Sequence, residues 1–246
     1  MSARGGWDLR ILSWNICELR GDLPALIDGV RDLDADVLLL QEAPRFVLPQ
    51  ARLSWFASRV DRRILVGGRG GRGLAILARE EIAGQVIRRG MHPVAQQLSD
   101  ANSTYPRGVA AVRLAVPGGG AVVVSDIHFA LQVPNRERHA RHVLQLVQGA
   151  GAPVIVGGDL NEGADGPART LLSGVLEDPA ASDPAWDQPT FPAASPRSRI
   201  DALLTTPDVR VRAAFSPRQS ARVSAERFAE ASDHLPVVLD VRVPRV

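Results

Sequence analysis

The stretch from residue 154 to 162, Val-Ile-Val-Gly-Gly-Asp-Leu-Asn-Glu, combines residue types that could perform metal or phosphate chemistry. Its β-branched run predicts a buried strand, and Gly157 and Gly158 allow backbone conformations that are closed to other residues. Asp159 and Asn161 would then project together from the carboxyl end of that strand. A carboxylate beside an amide oxygen suits a hard cation such as Mg²⁺, or the polarisation of a water molecule. Considered alone, the stretch also fits an ordinary strand-to-helix turn, with both side chains in turn or cap hydrogen bonds.

The same arrangement, an apolar strand with a polar residue at one end, recurs along the chain. The residues concerned are Asn15, Glu42, His128, Asp159 with Asn161, Asp201 and Asp233-His234. A carboxylate such as Glu42 is costly to bury without a partner, so it either reaches solvent or meets a cation. One such strand end is unremarkable. Their repetition implies a shared edge of the sheets at which these groups converge.

The elements that must position these residues are mainly strands. Apolar runs and alternation predict strands at 9–16, 36–42, 63–66, 73–78, 81–88, 107–114, 121–128, 154–156, 199–204, 209–215 and 232–241. Helical patterns lie at 22–33, around Leu53, at 134–148 and at 168–172. Segments 178–198 and 216–231 are predicted to be loops. Many strands and few helices indicate two packed sheets with the helices outside.

Two further features suggest sites, although each favours ordinary structure. The glycine-rich run from Gly67 to Gly73 matches no nucleotide-binding spacing, which favours a flexible hairpin-type loop. His139 and His142 lie among arginines of a predicted helix. We therefore expect both imidazoles on the solvated face of the helix and not at a metal.

The composition is typical of an ordinary globular protein. The chain has 246 residues, of which 45% are hydrophobic and 23% charged, so we expect one domain spanning 1–246. A formal net charge of +2 excludes a globally polybasic nucleic-acid binder but allows a local basic patch. Cys17 is the only cysteine, which excludes an internal disulfide and a thiolate-rich metal site. The N-terminus lacks the apolar core of a secretory signal and no apolar run is long enough to span a membrane, so we expect a cytoplasmic protein, monomeric by default.

Six short motifs, in their order along the chain, resemble those of the endonuclease/exonuclease/phosphatase superfamily. They are Trp14-Asn15, Gln41-Glu42, Ser125-Asp126-Ile127-His128, Gly158-Asp159-Leu160-Asn161, Arg199-Ile200-Asp201 and Ser232-Asp233-His234-Leu235-Pro236. The superfamily includes DNase I-like nucleases, abasic-site endonucleases, deadenylases, neutral sphingomyelinases and inositol-polyphosphate phosphatases. The resemblance implies a four-layer α/β sandwich of the DNase I-like type, in which two packed mixed β-sheets are flanked by helices. It also implies Mg²⁺-dependent phosphoester hydrolysis, with Mn²⁺ as a substitute ion.

The resemblance further implies a role for each residue at the predicted sheet edge. Glu42 is similar to the principal metal ligand, with Asn15 and Asp233 in or near the metal shell. Asp159 and Asn161 resemble the pair that orients the attacking water and holds the phosphate.

Two histidines and an arginine resemble phosphate-contacting residues. His234 is similar to the histidine that contacts the scissile phosphate and assists proton transfer, and Asp201 to the carboxylate that orients it. Such a pair would raise the pKa of the imidazole. His128 resembles a second phosphate-contacting histidine of the DNase I and sphingomyelinase branches. Arg107 stands where DNase-like members place a phosphate-binding arginine.

The chain also departs from relatives in the superfamily. Cys17 occupies the place where abasic-site endonucleases usually have an Asp. A carboxylate partner for His128 is not evident, and Glu80 or Glu81 is the nearest candidate. The aromatic segments at 55–56 and 186–191 favour core or loop roles over a membrane-active hairpin.

These observations predict a phosphoester hydrolase, with a nuclease or phosphodiesterase acting on a nucleic-acid backbone somewhat ahead. A phosphatase or phosphodiesterase for a small molecule or a lipid head group is the alternative, which the near-neutral charge would suit. A binding protein on a degenerate nuclease scaffold is a third hypothesis. It is disfavoured because each catalytic position of the motif set holds a competent residue.

Overall fold

Eleven strands form the centre of the protein in the computed structural model, which describes residues 6–95 and 106–245. The strands are β1 (Gly6–Asn15), β2 (Val37–Gln41), β3 (Arg63–Val66), β4 (Leu74–Ala78), β5 (Val86–Pro93), β6 (Gly108–Ala115), β7 (Ala121–His128), β8 (Val154–Asp159), β9 (Asp201–Thr205), β10 (Arg210–Phe215) and β11 (Val237–Pro244). The helices are α1 (Leu23–Leu33), α2 (Pro49–Arg59), α3 (Glu80–Ala83), α4 (Val133–Gln148), α5 (Pro167–Leu172) and α6 (Ala225–Ala231). Residues 1–5, on which the expectation about a signal segment depends, lie outside the described residues.

None of the helices in the described ranges combines the length and apolar character that crossing a bilayer requires.

The strands form two mixed sheets. The order is β10-β11-β1-β2-β4-β3 in the first sheet and β5-β6-β7-β8-β9 in the second. The β1–β2 and β7–β8 pairs are parallel and the other pairs are antiparallel. Because the two sheets pack face to face with helices on their outer sides, the predicted four-layer α/β sandwich is confirmed.

Three apolar layers separate the four layers of the sandwich. The layer between the sheets includes Ile11, Leu39 and Val124. A second lies between the first sheet and helices α1, α2 and α6, and a third between the second sheet and helices α4 and α5. Strands buried on both faces therefore read as continuous apolar runs, which explains why they were visible in the sequence.

The strand registers place the polar strand ends at one edge. Asn15 pairs with Gln41 at the end of the parallel β1–β2 pair, and His128 pairs with Asp159 at the end of the parallel β7–β8 pair. Asp201, the first residue of the antiparallel strand β9, pairs with Asp159. Strand β11 also starts at this edge, antiparallel to β1, so the residues that precede it lie there too.

Local structure differs from the sequence prediction in three places. Residues 80–83 form helix α3 where a strand over 81–88 was expected, because two glutamates in the first turn favour a helix N-terminus and strand alternation begins only at Val86. Helix α6 replaces a predicted loop, because Phe228 is buried there and stacks on Trp14 at a centroid distance of 5.4 Å. Strand β11 begins after Pro236, which has no N–H for the ladder.

The predicted exposure of His139 is wrong. Its imidazole is buried on the inner face of α4 and meets the Phe129 ring edge-on, with centroids 5.7 Å apart. Arg136, one turn earlier, is also buried, because its guanidinium pairs with Glu162 at 2.6 Å. The inner face of α4 therefore carries charged and aromatic groups that a hydrophobic pattern does not detect. His142 is half-buried.

Position 158 in strand β8 accommodates only glycine. We therefore expect Gly158→Ala to destabilise the protein strongly. Its φ is +151°, and a Cβ atom there would lie 1.9 Å from the carbonyl oxygen of Ile127 in β7. The free energy of unfolding should fall by about 3 kcal/mol or more, measured by urea denaturation. Gly163→Ala is the matched control, because a Cβ there meets no atom within 4 Å. Equal stability of the two variants would contradict this reading of Gly158.

Candidate active site

Asp159 lies at the centre of the sheet edge where the polar strand ends meet, and both of its carboxylate oxygens contact polar neighbours. Its Oδ2 atom lies 3.2 Å from Asn15 Nδ2, 3.2 Å from His128 Nε2 and 3.8 Å from His234 Nε2. Its Oδ1 atom accepts a hydrogen bond from the backbone N–H of Asn161 at 2.8 Å. Strand β8 carries Asp159 to the edge, and the two sheets contribute the groups on either side of it.

These contacts keep Asp159 ionised. Burial alone would raise its pKa, but the electrostatic interaction and hydrogen bond with His128, the charge of His234 and the Asn161 N–H together lower the pKa to about 2. The carboxylate is therefore an anion at neutral pH. So low a pKa makes it a good hydrogen-bond acceptor and a weak proton acceptor.

His234 is held by a buried carboxylate on its inner side. Its Nδ1 atom lies 2.9 Å and 3.2 Å from the two oxygens of Asp201. Thr190 donates a hydrogen bond of 2.6 Å to Asp201, and the Phe191 ring lies 4.8 Å from the imidazole centroid. The ring is thus fixed with Nε2 directed toward Asp159. The 3.8 Å between His234 Nε2 and Asp159 Oδ2 is too long for a hydrogen bond, so Nε2 can instead bond to an oxygen atom of a bound ligand.

The backbone around His234 is tied to the end of β1. The Trp14 indole N–H donates to the His234 carbonyl at 2.8 Å. The Ser232 hydroxyl donates to the Asn15 carbonyl at 2.6 Å and accepts from the His234 N–H at 3.2 Å. These bonds explain why residues just before β11 hold a defined position beside the first strand.

The two site histidines differ in charge. Burial lowers the pKa of His234, but the Asp201 charge and hydrogen bond, with Asp159 and Asp233, outweigh it and raise the pKa to about 9. Burial and then the Arg107 cation lower the pKa of His128, and Asp159 opposes the shift only in part. At neutral pH His234 is therefore an imidazolium and His128 a neutral imidazole. Opposite shifts in adjacent groups are a feature of acid–base sites.

Oxygen donors suited to a hard cation lie beside this pair. Glu42 directly follows Gln41, which pairs with Asn15 at the end of β1, and Asp233 lies between Ser232 and His234, which both bond to the end of β1. Burial and then the charges of Asp233 and Glu42 raise the pKa of the Cys17 thiol. Glu42 has a left-handed φ of 47° and is half-buried, and its carboxylate bonds to no side chain or backbone group in the described ranges. Asn15 Oδ1 accepts a hydrogen bond from the Cys17 N–H at 3.2 Å.

This donor set fits a divalent metal ion. Carboxylate and amide oxygens are the ligands that Mg²⁺ prefers, and the half-buried Glu42 carboxylate is open to such an ion. Asp159, Asp201 and His234 form a second group whose ligand atoms all lie within 4.8 Å of one another. In that group Asp201 already bonds His234 and Thr190.

The remaining predicted residues border the same site. Arg107 is buried and lies close enough to lower the pKa of His128. Asn161 has a left-handed φ of 53°, and its Nδ2 atom donates to the Phe129 carbonyl at 2.9 Å. All nine residues singled out in the sequence therefore lie at this edge. Their catalytic and ligand roles stay predictions.

The carboxylate partner of His128 is Asp159, at 3.2 Å. Glu80 and Glu81, the candidates from the sequence, are both exposed on helix α3, and Glu80 instead pairs with Arg63 at 3.5 Å. A single carboxylate thus contacts both histidines. Spacing along the chain could not show this, because it depends on the register between β7 and β8.

Several supporting residues escaped sequence reasoning. Thr190 lies in a segment predicted to be an unstructured loop, and no signal marked it. Gln41 and Asp126 meet between the sheets at 2.6 Å, and burial raises the pKa of Asp126 well above its usual range. Gln41 belongs to the motif Gln41-Glu42 and Asp126 to the motif Ser125-Asp126-Ile127-His128. Their place in these motifs is the sequence feature that could have identified them.

Comparison with known proteins agrees with this geometry. The family model described as "Endonuclease/Exonuclease/phosphatase family" matches residues 12–234. An endonuclease/exonuclease/phosphatase from Bacteroides vulgatus is 16% identical, with a TM-score of 0.76 over 96% of this chain and 99% of that one. A mannosyl-6-phosphatase from Bacteroides thetaiotaomicron is 19% identical, with a TM-score of 0.75 over 95% of this chain and 99% of that one.

A third similar structure is ANGEL2, a 2′,3′-cyclic phosphatase, which is 13% identical with a TM-score of 0.73 over 96% of this chain and 95% of that one. A search of curated proteins gave no match. At these identities the solved structures support the fold, whereas the family model matches most of the sequence itself. The chain belongs to the endonuclease/exonuclease/phosphatase family.

Proposed function

We propose that the protein is a Mg²⁺-dependent hydrolase in which a water molecule attacks a phosphoester in line with the leaving oxygen. The observation that carries the proposal is the ionised Asp159 carboxylate, which lies between the neutral His128 and the charged His234. Similarity to a mannosyl-6-phosphatase and a 2′,3′-cyclic phosphatase supports phosphoester chemistry. Mn²⁺ is the expected substitute ion.

Glu42, Asn15 and Asp233 would hold the metal. When bound, the ion supplies positive charge that stabilises the phosphoryl oxygens and the leaving oxygen. Asp159 accepts a hydrogen bond from the attacking water and fixes its direction. As the water oxygen bonds to phosphorus, the proton that it releases passes to Asp159, while His234 protonates the leaving oxygen. Asn161, held by the Phe129 carbonyl, positions the water or a phosphate oxygen with its remaining amide groups.

His234 is the proposed acid. Its Nδ1–H is held by Asp201, and its Nε2–H points into the gap beside Asp159, where a phosphate oxygen would accept it. A cation with a pKa of about 9 binds the phosphate and can transfer a proton to the leaving oxygen. His128 and Arg107 would contact the phosphate from the second sheet.

Two substrate classes follow from the sequence. A nucleic-acid backbone requires a basic track, whereas a small-molecule or lipid-head-group phosphoester requires only the local cations at the site. The test is Mg²⁺-dependent turnover of supercoiled plasmid beside phosphomonoesters and simple phosphodiesters, with Asp159→Asn as the control. Plasmid nicking that the variant abolishes would establish a nuclease. Release of product from a small ester with an intact plasmid would establish the second class, and no hydrolysis of any ester would contradict the proposal.

Replacing Glu42 with Gln should weaken metal binding selectively. Removing one anionic ligand should raise the Mg²⁺ concentration needed for half-maximal turnover by about tenfold or more. The measurement is a Mg²⁺ titration of turnover after treatment with EDTA. Glu137→Gln is the matched control, because it is an exchange of the same kind at a carboxylate that pairs with Arg141 and with none of the site residues. An unchanged Mg²⁺ requirement in Glu42→Gln would remove Glu42 from the metal shell.

A further inference from the structure

Exposed apolar side chains are concentrated on two segments of the described chain. Seven large hydrophobic residues are exposed, and five of them lie at 46–48 and 131–133. These five, which we call the apolar rim, are Phe46 at 68% exposure, Val47 at 71%, Leu48 at 70%, Leu131 at 71% and Val133 at 42%. Single exposed hydrophobics are common on protein surfaces, but a cluster of this kind marks an interaction site.

Both rim segments follow site residues directly. Phe46 comes four residues after Glu42, and Leu131 three residues after His128, so neither can lie farther than about 15 Å along the chain from its site residue. The strands that lead into them, β2 and β7, face each other across the sandwich and are joined by Gln41 and Asp126 at 2.6 Å. Because both strands end at the edge that carries the site residues, the two segments leave the sheets on the same side of the molecule as the site.

Contacts fix the first rim segment to the metal side of the site. The backbone N–H of Glu18 donates to the Glu42 carbonyl at 2.8 Å, and the Glu18 carboxylate accepts from Arg45 at 2.6 Å. The Arg45 guanidinium in turn lies over the Phe46 ring, 5.2 Å from its centroid. Phe46 is thus presented outward by a chain of bonds that begins at Glu42.

The second rim segment is fixed to the Asp159 side. Arg136 donates to the Leu131 carbonyl and pairs with Glu162 at 2.6 Å. Asn161 donates to the Phe129 carbonyl at 2.9 Å. Leu131 therefore projects from a loop that is bonded to the same strand end as Asp159.

The backbone conformation of Leu48 is energetically unfavourable for leucine. Its φ of 47° and ψ of 50° are left-handed, a conformation that glycine or asparagine adopts more cheaply, and 70% of the residue is exposed. Neither folding nor solubility favours leucine there. An apolar contact with a binding partner would account for the residue.

We propose that the substrate is the phosphoester of a phospholipid at a membrane surface, and that the apolar rim inserts into the lipid while the head group enters the site. This proposal rests on the proposed phosphoester hydrolysis. A ligand that satisfies both the ionic site and the rim must join a phosphoester to a large apolar moiety. A nucleic acid would instead need aromatic faces and unpaired arginines, whereas the rim has one aromatic ring and Arg45 is occupied by Glu18.

The experiment compares the wild type, the double variant Phe46→Ser/Leu131→Ser and the control Ile87→Ser. Ile87 is 58% exposed on β5, away from the rim. Two readouts are taken: sedimentation with vesicles of equal parts phosphatidylcholine and phosphatidylglycerol, and turnover of the soluble diester bis(4-nitrophenyl) phosphate. Hydrolysis of the vesicle lipids and nicking of plasmid are followed in parallel.

We expect wild type and Ile87→Ser to bind the vesicles and hydrolyse their lipid, and the double variant to bind about a hundredfold more weakly. Soluble-diester turnover should be equal in all three, which shows that the double variant is folded. Failure of the wild type to bind vesicles, or equal binding by the double variant, would overturn the lipid proposal while leaving soluble turnover intact. Plasmid nicking without vesicle binding would assign the site to nucleic acid. Absence of soluble turnover in the wild type would contradict the hydrolase function itself.

Discussion

Asp159→Asn should lower turnover by about a thousandfold or more while the fold is retained. The variant keeps the shape of the side chain but removes the charge that His128 and His234 stabilise, and an amide cannot accept hydrogen bonds on both positions. The attacking water would lose its acceptor, and His234 would lose part of the field that keeps it charged. The measurement is kcat for a soluble phosphodiester at saturating Mg²⁺.

Glu162→Gln is a suitable comparison for Asp159→Asn. Glu162 is also a buried acid, three residues further along the chain, but its carboxylate pairs with Arg136 and not with the site histidines. We expect this variant to lose stability and to keep most of its activity per folded molecule. If both variants were equally active, Asp159 could not be the group that orients the water.

Asp201→Asn should lower the pKa of His234 from about 9, because burial would then act with less opposition. A smaller fraction of the imidazole would be charged at neutral pH and its ring would lose its partner, so turnover should fall by about a hundredfold or more. The measurements are kcat and an NMR titration of His234 in EDTA-treated protein. Loss of activity without a fall in the His234 pKa would show that Asp201 acts only by positioning the ring.

The ion pair between His234 and Asp201 makes the free energy of unfolding depend on pH. The pKa of His234 is higher in the folded protein, at about 9, than its ordinary value of 6.5. Its charge therefore contributes its full stabilisation below pH 6.5, and this contribution is lost as the pH rises through 9. The difference in unfolding free energy between wild type and His234→Asn should shrink over that interval. A difference that stays constant with pH would contradict the raised pKa.

Much of the architecture could be read from the sequence because its strands are buried on both faces. Runs such as residues 37–40 and 154–156 are apolar throughout, which identifies them as strands without knowledge of their partners. Helix α6 was missed because its stability comes from Phe228 against Trp14, a contact between residues far apart in the chain. His139 was misplaced for a similar reason, since Phe129 and the inner face of α4 enclose it.

Convergence of the site residues was also predictable, because strand ends at one sheet edge must meet. The individual contacts within the site could not be predicted from the sequence. Asp159 serves as partner for both histidines only because β8 lies between β7 and β9 in this register. Thr190 reaches Asp201 from a long loop, whose path no local pattern specifies.

The most direct test of metal-dependent phosphoester hydrolysis at Asp159 is the rate at which EDTA-treated protein hydrolyses bis(4-nitrophenyl) phosphate as Mg²⁺ is added back. The rate should be negligible without the ion and rise to saturation with it in the wild type. It should stay near zero in Asp159→Asn across the same titration. Hydrolysis by the wild type that is indifferent to EDTA and Mg²⁺, or that persists in Asp159→Asn, would contradict the proposed chemistry.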